Sequence, residues 1–269
     1  MPEMPEVEGL AYSREGAVAT VRWNRPERLN AITFNMLEGV TNFVEAQGKD
    51  PEVRAIVITG TGRAFSSGDD IVGGMGERSD RYTPPDRVSA DLGPHHRLVK
   101  TIMSAPKPVI AALNGLCHGA GWVTALACDF RVAHEDVVIG DIRAQKSIFA
   151  GQSVPLVLPR LIGQSRAMDL LMTGRVITAT EAERYGLIQR LWPVASWESD
   201  LEGFIQELAS GPTVNYAAWK LAVNWSILGE LDHYTAYERP LAQLARTTED
   251  SAEGVKAFRE KRAPVFTGR

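Results

Sequence analysis

The sequence has few of the features that mark secreted or membrane proteins. Its 269 residues include only two cysteines, Cys117 and Cys128, in one short apolar segment that reads as helix-like. Reduced thiols in such a segment pack as small hydrophobic groups and provide no framework for disulfides or metals. No apolar run reaches the roughly 20 residues that cross a bilayer, and the acidic, proline-broken N-terminus lacks the basic start and apolar stretch of a secretory signal. We therefore expect a cytoplasmic protein that binds neither a metal nor a membrane.

An excess of positive charge is also missing. The 29 lysines and arginines are outnumbered by 33 aspartates and glutamates, and the cations are not clustered. A phosphate backbone would gain little attraction, so nucleic acid is not an expected partner and RNA binding is a remote alternative. Hydrophobic residues at 44% and charged residues at 23% are typical of a soluble globular protein.

The order of apolar runs predicts an α/β fold. Residues 18–23 alternate as a half-buried strand does, whereas 55–60 and 108–115 are continuous apolar runs that suit strands buried on both faces. A helix is predicted at 33–48, and strands alternating with helices favour parallel βαβ units. The glycines and prolines of residues 72–94 predict a loop of the kind that covers a site.

The last quarter of the chain has a different pattern. Strand signals stop there, and helical periodicity marks residues 199–210, 214–228 and 234–247. We therefore predict two units, a core of residues 1–196 and a helical C-terminal subdomain of residues 197–269.

Several segments, read in order, resemble the motifs of one family. They are NRPERLNA at 24–31, RAIVITG at 54–60, RAFSSGDDI at 63–71, KPVIAALNG at 107–115, GAG at 119–121, ACD at 127–129, LPRLIG at 158–163 and AFREKR at 257–262. This series resembles the enoyl-CoA hydratase/isomerase (crotonase) superfamily over nearly the whole chain. The resemblance implies a ββα superhelix with a C-terminal helical region, assembled as a homotrimer or homohexamer. It also implies an acyl-CoA substrate, with coenzyme A as part of that substrate and no covalently bound cofactor.

The resemblance implies an oxyanion hole made by two backbone N–H groups, those of Asp69 and Ala120. Such donors stabilise the negative charge that develops on a thioester oxygen, because they are oriented before the reaction begins. Gly68, Gly119 and Gly121 supply the backbone freedom that a strand-to-helix turn needs when its amides face a ligand. The alternative is that these glycines only make tight turns.

The sequence departs from the hydratase pattern at both catalytic glutamates. Val123 stands at the first position and Arg143 at the second, while Gly151 stands where other branches carry an aspartate. Hydration needs one group to take a proton from water and another to deliver one to carbon. Valine does neither, and arginine stays protonated near neutral pH, although it can grip a carboxylate or polar acyl tail. Ordinary hydration is therefore disfavoured.

Four other residues are candidates for the missing proton transfer. His96 matches the place of a base histidine in the chlorobenzoyl-CoA dehalogenase branch, or it is a helix-surface histidine beside His95. Asp70 is either catalytic or a helix N-cap. Asp141 either reaches the substrate or forms an ion pair with Arg143 or Arg131, and His118 is more readily read as a packed histidine.

The resemblance also implies residues that bind the substrate. Trp122 and Phe149 would line the acyl pocket, unless they are only core residues. Arg28 by position, and Lys261 or Arg262 in the tail, resemble the family's contacts to coenzyme A phosphates. Bordering positions implied by the resemblance are Ala64, Gly68, Gly121 and Val123.

Three functions remain open on the sequence alone. The leading hypothesis is isomerisation, C–C hydrolysis or decarboxylation of an acyl-CoA through the oxyanion hole and a base other than glutamate. The second is an acyl-CoA-binding subunit without catalysis, which would also retain the donors and lose the acid/base groups. The third is a hydratase that uses substitute acid/base residues.

Overall fold

The computed structural model describes residues 4–70 and 93–269. The loop predicted at 72–94 therefore lies outside the described residues, except for its last two positions, which begin a helix. The strands of the described residues are β1 (Leu10–Glu15), β2 (Val18–Trp23), β3 (Ala55–Gly60), β4 (Ala64–Ser66), β5 (Val109–Leu113), β6 (Leu116–His118), β7 (Phe130–His134), β8 (Val138–Gly140), β9 (Val176–Thr178) and β10 (Arg190–Trp192). The helices are α1 (Phe34–Lys49), α2 (Gly93–Ser104), α3 (Gly119–Ala127), α4 (Val154–Ile162), α5 (Gln164–Thr173), α6 (Ala179–Arg184), α7 (Trp197–Ser210), α8 (Thr213–Arg246) and α9 (Glu249–Glu260).

The strands form two sheets. The larger has the order β1-β2-β3-β5-β7-β10, and the smaller has the order β4-β6-β8-β9. Among the strand pairs of the described residues, β1–β2 and β8–β9 are antiparallel and the others are parallel. Successive strands therefore alternate between the sheets, as in β3 to β4 and then β5 to β6. Helix α3 follows β6 directly in the chain. This arrangement confirms the predicted α/β class and the ββα repeat.

The buried strand β3 shows how the core is divided. Ile56 and Ile58 point into the main hydrophobic cluster, whereas Val57 points to the other face of the sheet. Side chains alternate between faces along a strand, so a strand covered on both sides must be apolar throughout. On the second face α7 provides the cover, with Phe204 and Leu208 packed against Val57 and its neighbours.

Two local predictions were wrong. The helices predicted at 214–228 and 234–247 form one continuous helix, α8. Leu231 lies between them and is fully buried, so its packing offsets the helix-weakening effect of Gly229. Cys117 lies in strand β6 rather than in a helix-like segment, and burial raises the pKa of its free thiol.

Among the described residues, no helix combines the length and the apolar character that a membrane crossing requires.

Candidate active site

Two turns meet where the smaller sheet ends. Strands β4 and β6 are parallel neighbours, so their carboxyl ends lie side by side. Gly68 follows β4 with φ of +101°, and Gly119 follows β6 with φ of +52°. A methyl group added to Gly68 would stand 3.1 Å from the Cα of Gly119 and 3.3 Å from the amide nitrogen of Ala120. Glycine is therefore required both by the backbone conformation and by the close approach of the two turns.

The amide nitrogen of Asp69, in the first turn (after β4), lies 3.9 Å from where a methyl group added to Gly119, in the second turn (after β6), would stand. Ile32 donates from its amide to the carbonyl of Gly68 at 2.8 Å, and Asp70 donates to the carbonyl of Ile32 at 2.9 Å. Asp69 lies between Gly68 and Asp70 in this parallel bridge, so its own N–H points away from Ile32.

The amide of Ala120 lies in the first turn of α3, where an N–H has no partner within the helix. Within residues 4–70 and 93–269, neither this amide nor that of Asp69 has an acceptor. Two such donors, one of them at the positive end of a helix, are suited to hold an oxygen that acquires negative charge.

Asn30, the second asparagine of the NRPERLNA motif, stabilises the first turn through hydrogen bonds. The hydroxyl of Ser66 accepts from the amide of Gly68 at 3.0 Å and donates to the carbonyl of Asn30 at 2.8 Å. The side-chain amide of Asn30 donates to the carbonyl of Ala64 at 2.7 Å. Asn30 therefore helps to set the position of the turn that carries the Asp69 amide through buried hydrogen bonds.

His95 is the histidine that contacts the first turn. Its Nε2 lies 2.8 Å from Oδ1 of Asp69, and its ring meets that of Phe34 edge-on. Burial alone would raise the pKa of Asp69, but the charge and hydrogen bond of His95, together with the charge of Arg143, hold that pKa below its ordinary value. The positive charge of Arg143 therefore offsets part of the negative charge that this carboxylate places beside the amide of Asp69.

His96, which by sequence was either a candidate base or a helix-surface histidine, is buried and faces a different partner. Its Nε2 lies 3.1 Å from Oε1 of Glu238, which reaches in from α8. The same carboxylate accepts from the amides of Gln152 and Ser153. No local sequence pattern indicates this contact, because His96 and Glu238 are 142 positions apart.

Arg143 and Asp141 form a closed ion pair. Nε of Arg143 donates to one carboxylate oxygen of Asp141 at 2.7 Å, and Nη2 donates to the other at 2.5 Å. A third donor of Arg143, Nη1, binds Oε1 of Gln152 at 2.7 Å. Burial would lower the pKa of Arg143, but Asp141 outweighs it and raises that pKa. The ion-pair alternative for Asp141 is thus present in the structure, and both carboxylate oxygens are engaged.

Gln152 connects these groups and was not singled out by the sequence. Besides its bond from Arg143, its Nε2 lies 3.5 Å from Oδ2 of Asp69, a long contact. Asp69, His95, Arg143 and Gln152 are therefore in one connected cluster beside the unpaired amide of Asp69.

The remaining candidates are distributed around this cluster. Asp70 is buried and accepts from Nη1 of Arg25 at 2.8 Å. Val123 and Trp122 are buried in the main core cluster, and Phe149 is half-buried. Burial lowers the pKa of His118, against the opposing charge of Asp141.

The candidates for coenzyme A contact lie on the surface. Arg28 and Lys261 are exposed, whereas Arg262 forms ion pairs with Glu253 and Glu260. The carbonyl of Arg28 lies 3.4 Å from the hydroxyl of Ser67, so Arg28 adjoins the first turn. Ala64 and Gly121 are buried beside the turns, where a methyl group added to Gly121 would stand 2.6 Å from Cβ of Ser66.

The alternating two-sheet repeat and the paired turns define the class of crotonase-fold α/β proteins. The family model for enoyl-CoA hydratase/isomerase matches residues 13–269. The chain belongs to this family, whose enzymes act on coenzyme A thioesters.

Named relatives differ in the reaction attributed to them. The 1,2-epoxyphenylacetyl-CoA isomerase of Escherichia coli (strain K12) is 32% identical, covering 95% of this chain and 97% of its own. The (E)-benzylidenesuccinyl-CoA hydratase of Thauera aromatica is 34% identical, covering 93% and 96%. The crystal structure of an enoyl-CoA hydratase from Mycobacterium avium subsp. paratuberculosis K-10 is 31% identical, with a TM-score of 0.85 over 97% of this chain and 100% of the other.

Proposed function

We propose that this protein forms and protonates the enolate of an acyl-CoA thioester, with the amides of Asp69 and Ala120 holding the enolate oxygen. The reaction is isomerisation, C–C hydrolysis or decarboxylation rather than hydration. Of these, double-bond isomerisation fits best, because one base suffices for it: the proton removed from one carbon is returned to another, and no water is consumed.

One observation carries the proposal. His95 is in contact with Asp69, the residue that contributes one of the two unpaired amides. An imidazole is matched to proton transfer near pH 7, and the carboxylate of Asp69 orients it. Asp141 is a weaker candidate, since Arg143 occupies both of its oxygens. Val123 offers no titratable group at the other family position.

The engaged guanidinium of Arg143 also bears on the acyl group. Three of its five N–H donors already have acceptors, and Asp141 already balances its charge, so a substrate carboxylate would gain less from it than from an unpaired arginine. We therefore propose a neutral acyl group. Two relatives are named for ring-bearing acyl-CoAs, and Phe34 and Phe149 are half-buried near the cluster, so phenylacetyl-CoA is a suitable first probe.

The test measures enolate formation directly. Phenylacetyl-CoA and 3-hexenoyl-CoA are incubated with the enzyme in D2O, and deuterium at the α carbon is followed by mass spectrometry. We expect exchange with both, isomerisation of 3-hexenoyl-CoA, and a loss of exchange on the order of a hundredfold in His95→Gln. The matched variant His96→Gln should lose about tenfold or less.

Three results would point elsewhere. Binding by calorimetry without any exchange would favour the non-catalytic acyl-CoA-binding subunit. Crotonyl-CoA hydration as fast as isomerisation would favour a hydratase with substitute residues. Equal losses in His95→Gln and His96→Gln would remove the assignment of His95 as the base.

We also propose that the chain assembles as a homotrimer or homohexamer. Helix α8 exposes large apolar side chains, with Trp219, Val223 and Trp225 between 60% and 78% exposed. Apolar surface of this kind is typical of an interface. Native mass spectrometry would measure the assembly, and a monomer at micromolar concentration would contradict it.

A further inference from the structure

The turn that carries Gln152 has an uncommon backbone. Gln152 and Ser153 are consecutive residues with φ of +62° and +69°. Residues other than glycine are disfavoured in this left-handed region, because their Cβ atom lies too close to the following carbonyl oxygen. Two such residues in succession persist only where surrounding contacts hold them.

Glu238 provides that support. Its Oε1 accepts from the amide of Gln152 at 2.5 Å, and its Oε2 accepts from the amide of Ser153 at 2.9 Å. Consecutive amides of such a turn point into one concavity and favour an anion there. Here the anion is a side chain of the same protein. It is contributed by a helix more than 80 residues further along the chain.

The carboxylate of Glu238 is buried among side chains of α2 and α8 and the turn at 152–153. Glu238 is 3% exposed, and it shares the inner face of α8 with Leu231 and Thr235. Burial would raise its pKa, but the hydrogen bond and charge of His96 and the amides of the turn lower it instead. Burial and the negative charge of Glu238 raise the pKa of the neighbouring Tyr234.

The turn at 152–153 places the side chain of Gln152 in the candidate site. The side chain of Gln152 lies between Arg143 and Asp69, at 2.7 Å from Nη1 of the first and 3.5 Å from Oδ2 of the second. Asp69 carries one of the two unpaired amides. A displacement of the turn would therefore move the group that bridges the neutralising cation and the oxyanion turn.

We infer that Glu238 is a positioning residue for the reaction proposed above. It holds the left-handed turn at 152–153, and through Gln152 it fixes the guanidinium of Arg143 beside the carboxylate of Asp69. This inference rests on the proposed function, because it assigns Glu238 an effect on turnover. It also predicts a coupling to Ser153 that is measurable without any activity.

The first arm of the test measures stability. Glu238→Ala removes the anion and leaves the left-handed turn unsupported, whereas Ser153→Gly removes the Cβ that makes the turn costly. We expect Ser153→Gly to raise the Tm of Glu238→Ala by about 2 to 4 °C more than it raises that of the unaltered protein. Additive Tm changes would overturn the link between Glu238 and the turn.

The second arm measures turnover, by α-proton exchange with phenylacetyl-CoA. Glu238→Ala and Gln152→Ala should each lower kcat on the order of tenfold with little change in KM, and the two together should lower it no further. Asp232→Asn is the matched control, because this residue lies on the same helix in an exposed ion pair with Lys100. It should leave both constants unchanged.

The combined variant separates positioning from mere support of the fold. If Glu238 only stabilises the chain, Glu238→Ala with Ser153→Gly regains the kcat of the unaltered enzyme, and the inference is overturned. If Glu238 positions Gln152, that variant regains stability but not kcat. An unaltered enzyme that shows no exchange at all overturns the proposed function itself, whatever the stability arm gives.

Discussion

The two backbone turns and the neighbouring cluster of Asp69, His95, Arg143 and Gln152 are specified by the sequence in different ways. The turns at Gly68–Asp69 and Gly119–Ala120 follow adjacent parallel strands, and their conformation is set by glycines within a few residues of each amide. The side-chain cluster is assembled from distant segments, with Glu238 contributed by the C-terminal region. Local sequence therefore specifies the two turns that carry the proposed donors, whereas tertiary packing specifies the partners of the titratable groups.

This difference has a consequence for the reaction. Because the donors depend on main-chain atoms, their geometry survives substitution of most neighbouring side chains. The acid/base groups lack that protection, and here Val123 and Arg143 stand where hydratases carry glutamates. A family can thus keep the stabilisation of an enolate while it changes what happens to the enolate.

The largest expected effect is at the turns. Gly68→Ala should lower turnover on the order of a thousandfold, because its methyl group would stand 3.1 Å from Cα of Gly119 and force the two donors apart. Gly186→Ala is the matched control, since Gly186 also has a positive φ, +79°, but no atom within 4 Å of the added methyl. It should lower stability by about 1 kcal/mol and leave turnover unchanged.

The measurement is α-proton exchange at saturating substrate, with thermal unfolding recorded in parallel. A Gly68→Ala protein that folds and keeps more than a tenth of the exchange rate would contradict the assignment of the donors to these turns.

A smaller effect, on stability, is expected in the side-chain cluster. Asp141→Asn leaves Arg143 charged and buried with only part of its pairing, which should cost about 3 kcal/mol. The double variant Asp141→Leu with Arg143→Met should recover most of this, because it removes both charges. Glu230→Gln breaks an exposed pair with Arg160 and should cost less than about 1 kcal/mol.

Urea unfolding monitored by circular dichroism measures these free energies. An Asp141→Asn protein within about 0.5 kcal/mol of the unaltered one would show that Asp141 is not required to compensate Arg143.

The sequence predicted the fold better than it predicted the site. Apolar runs located the strands at 18–23 and 55–60, because burial on one face or two leaves a readable pattern. Such a pattern could not show which of the adjacent histidines, His95 or His96, contacts the turn at Asp69. His95 and His96 differ by about 100° around α2, and only the positions of Asp69 and Glu238 decide what each one meets.

The smallest expected effect concerns the buried histidine next to the second turn. Burial lowers the pKa of His118 below its ordinary value of 6.5, and the charge of Asp141 opposes this only in part. The folded state therefore resists protonation more than the unfolded state does, so stability falls as pH drops below about 6.5. His118→Leu removes this group, so the variant should lose less stability than the unaltered protein between pH 7.5 and 5, by on the order of 1 kcal/mol or less. Thermal unfolding across that range measures the difference, with exposed His233→Gln as the control, and parallel curves for the His118 variant and the unaltered protein would refute it.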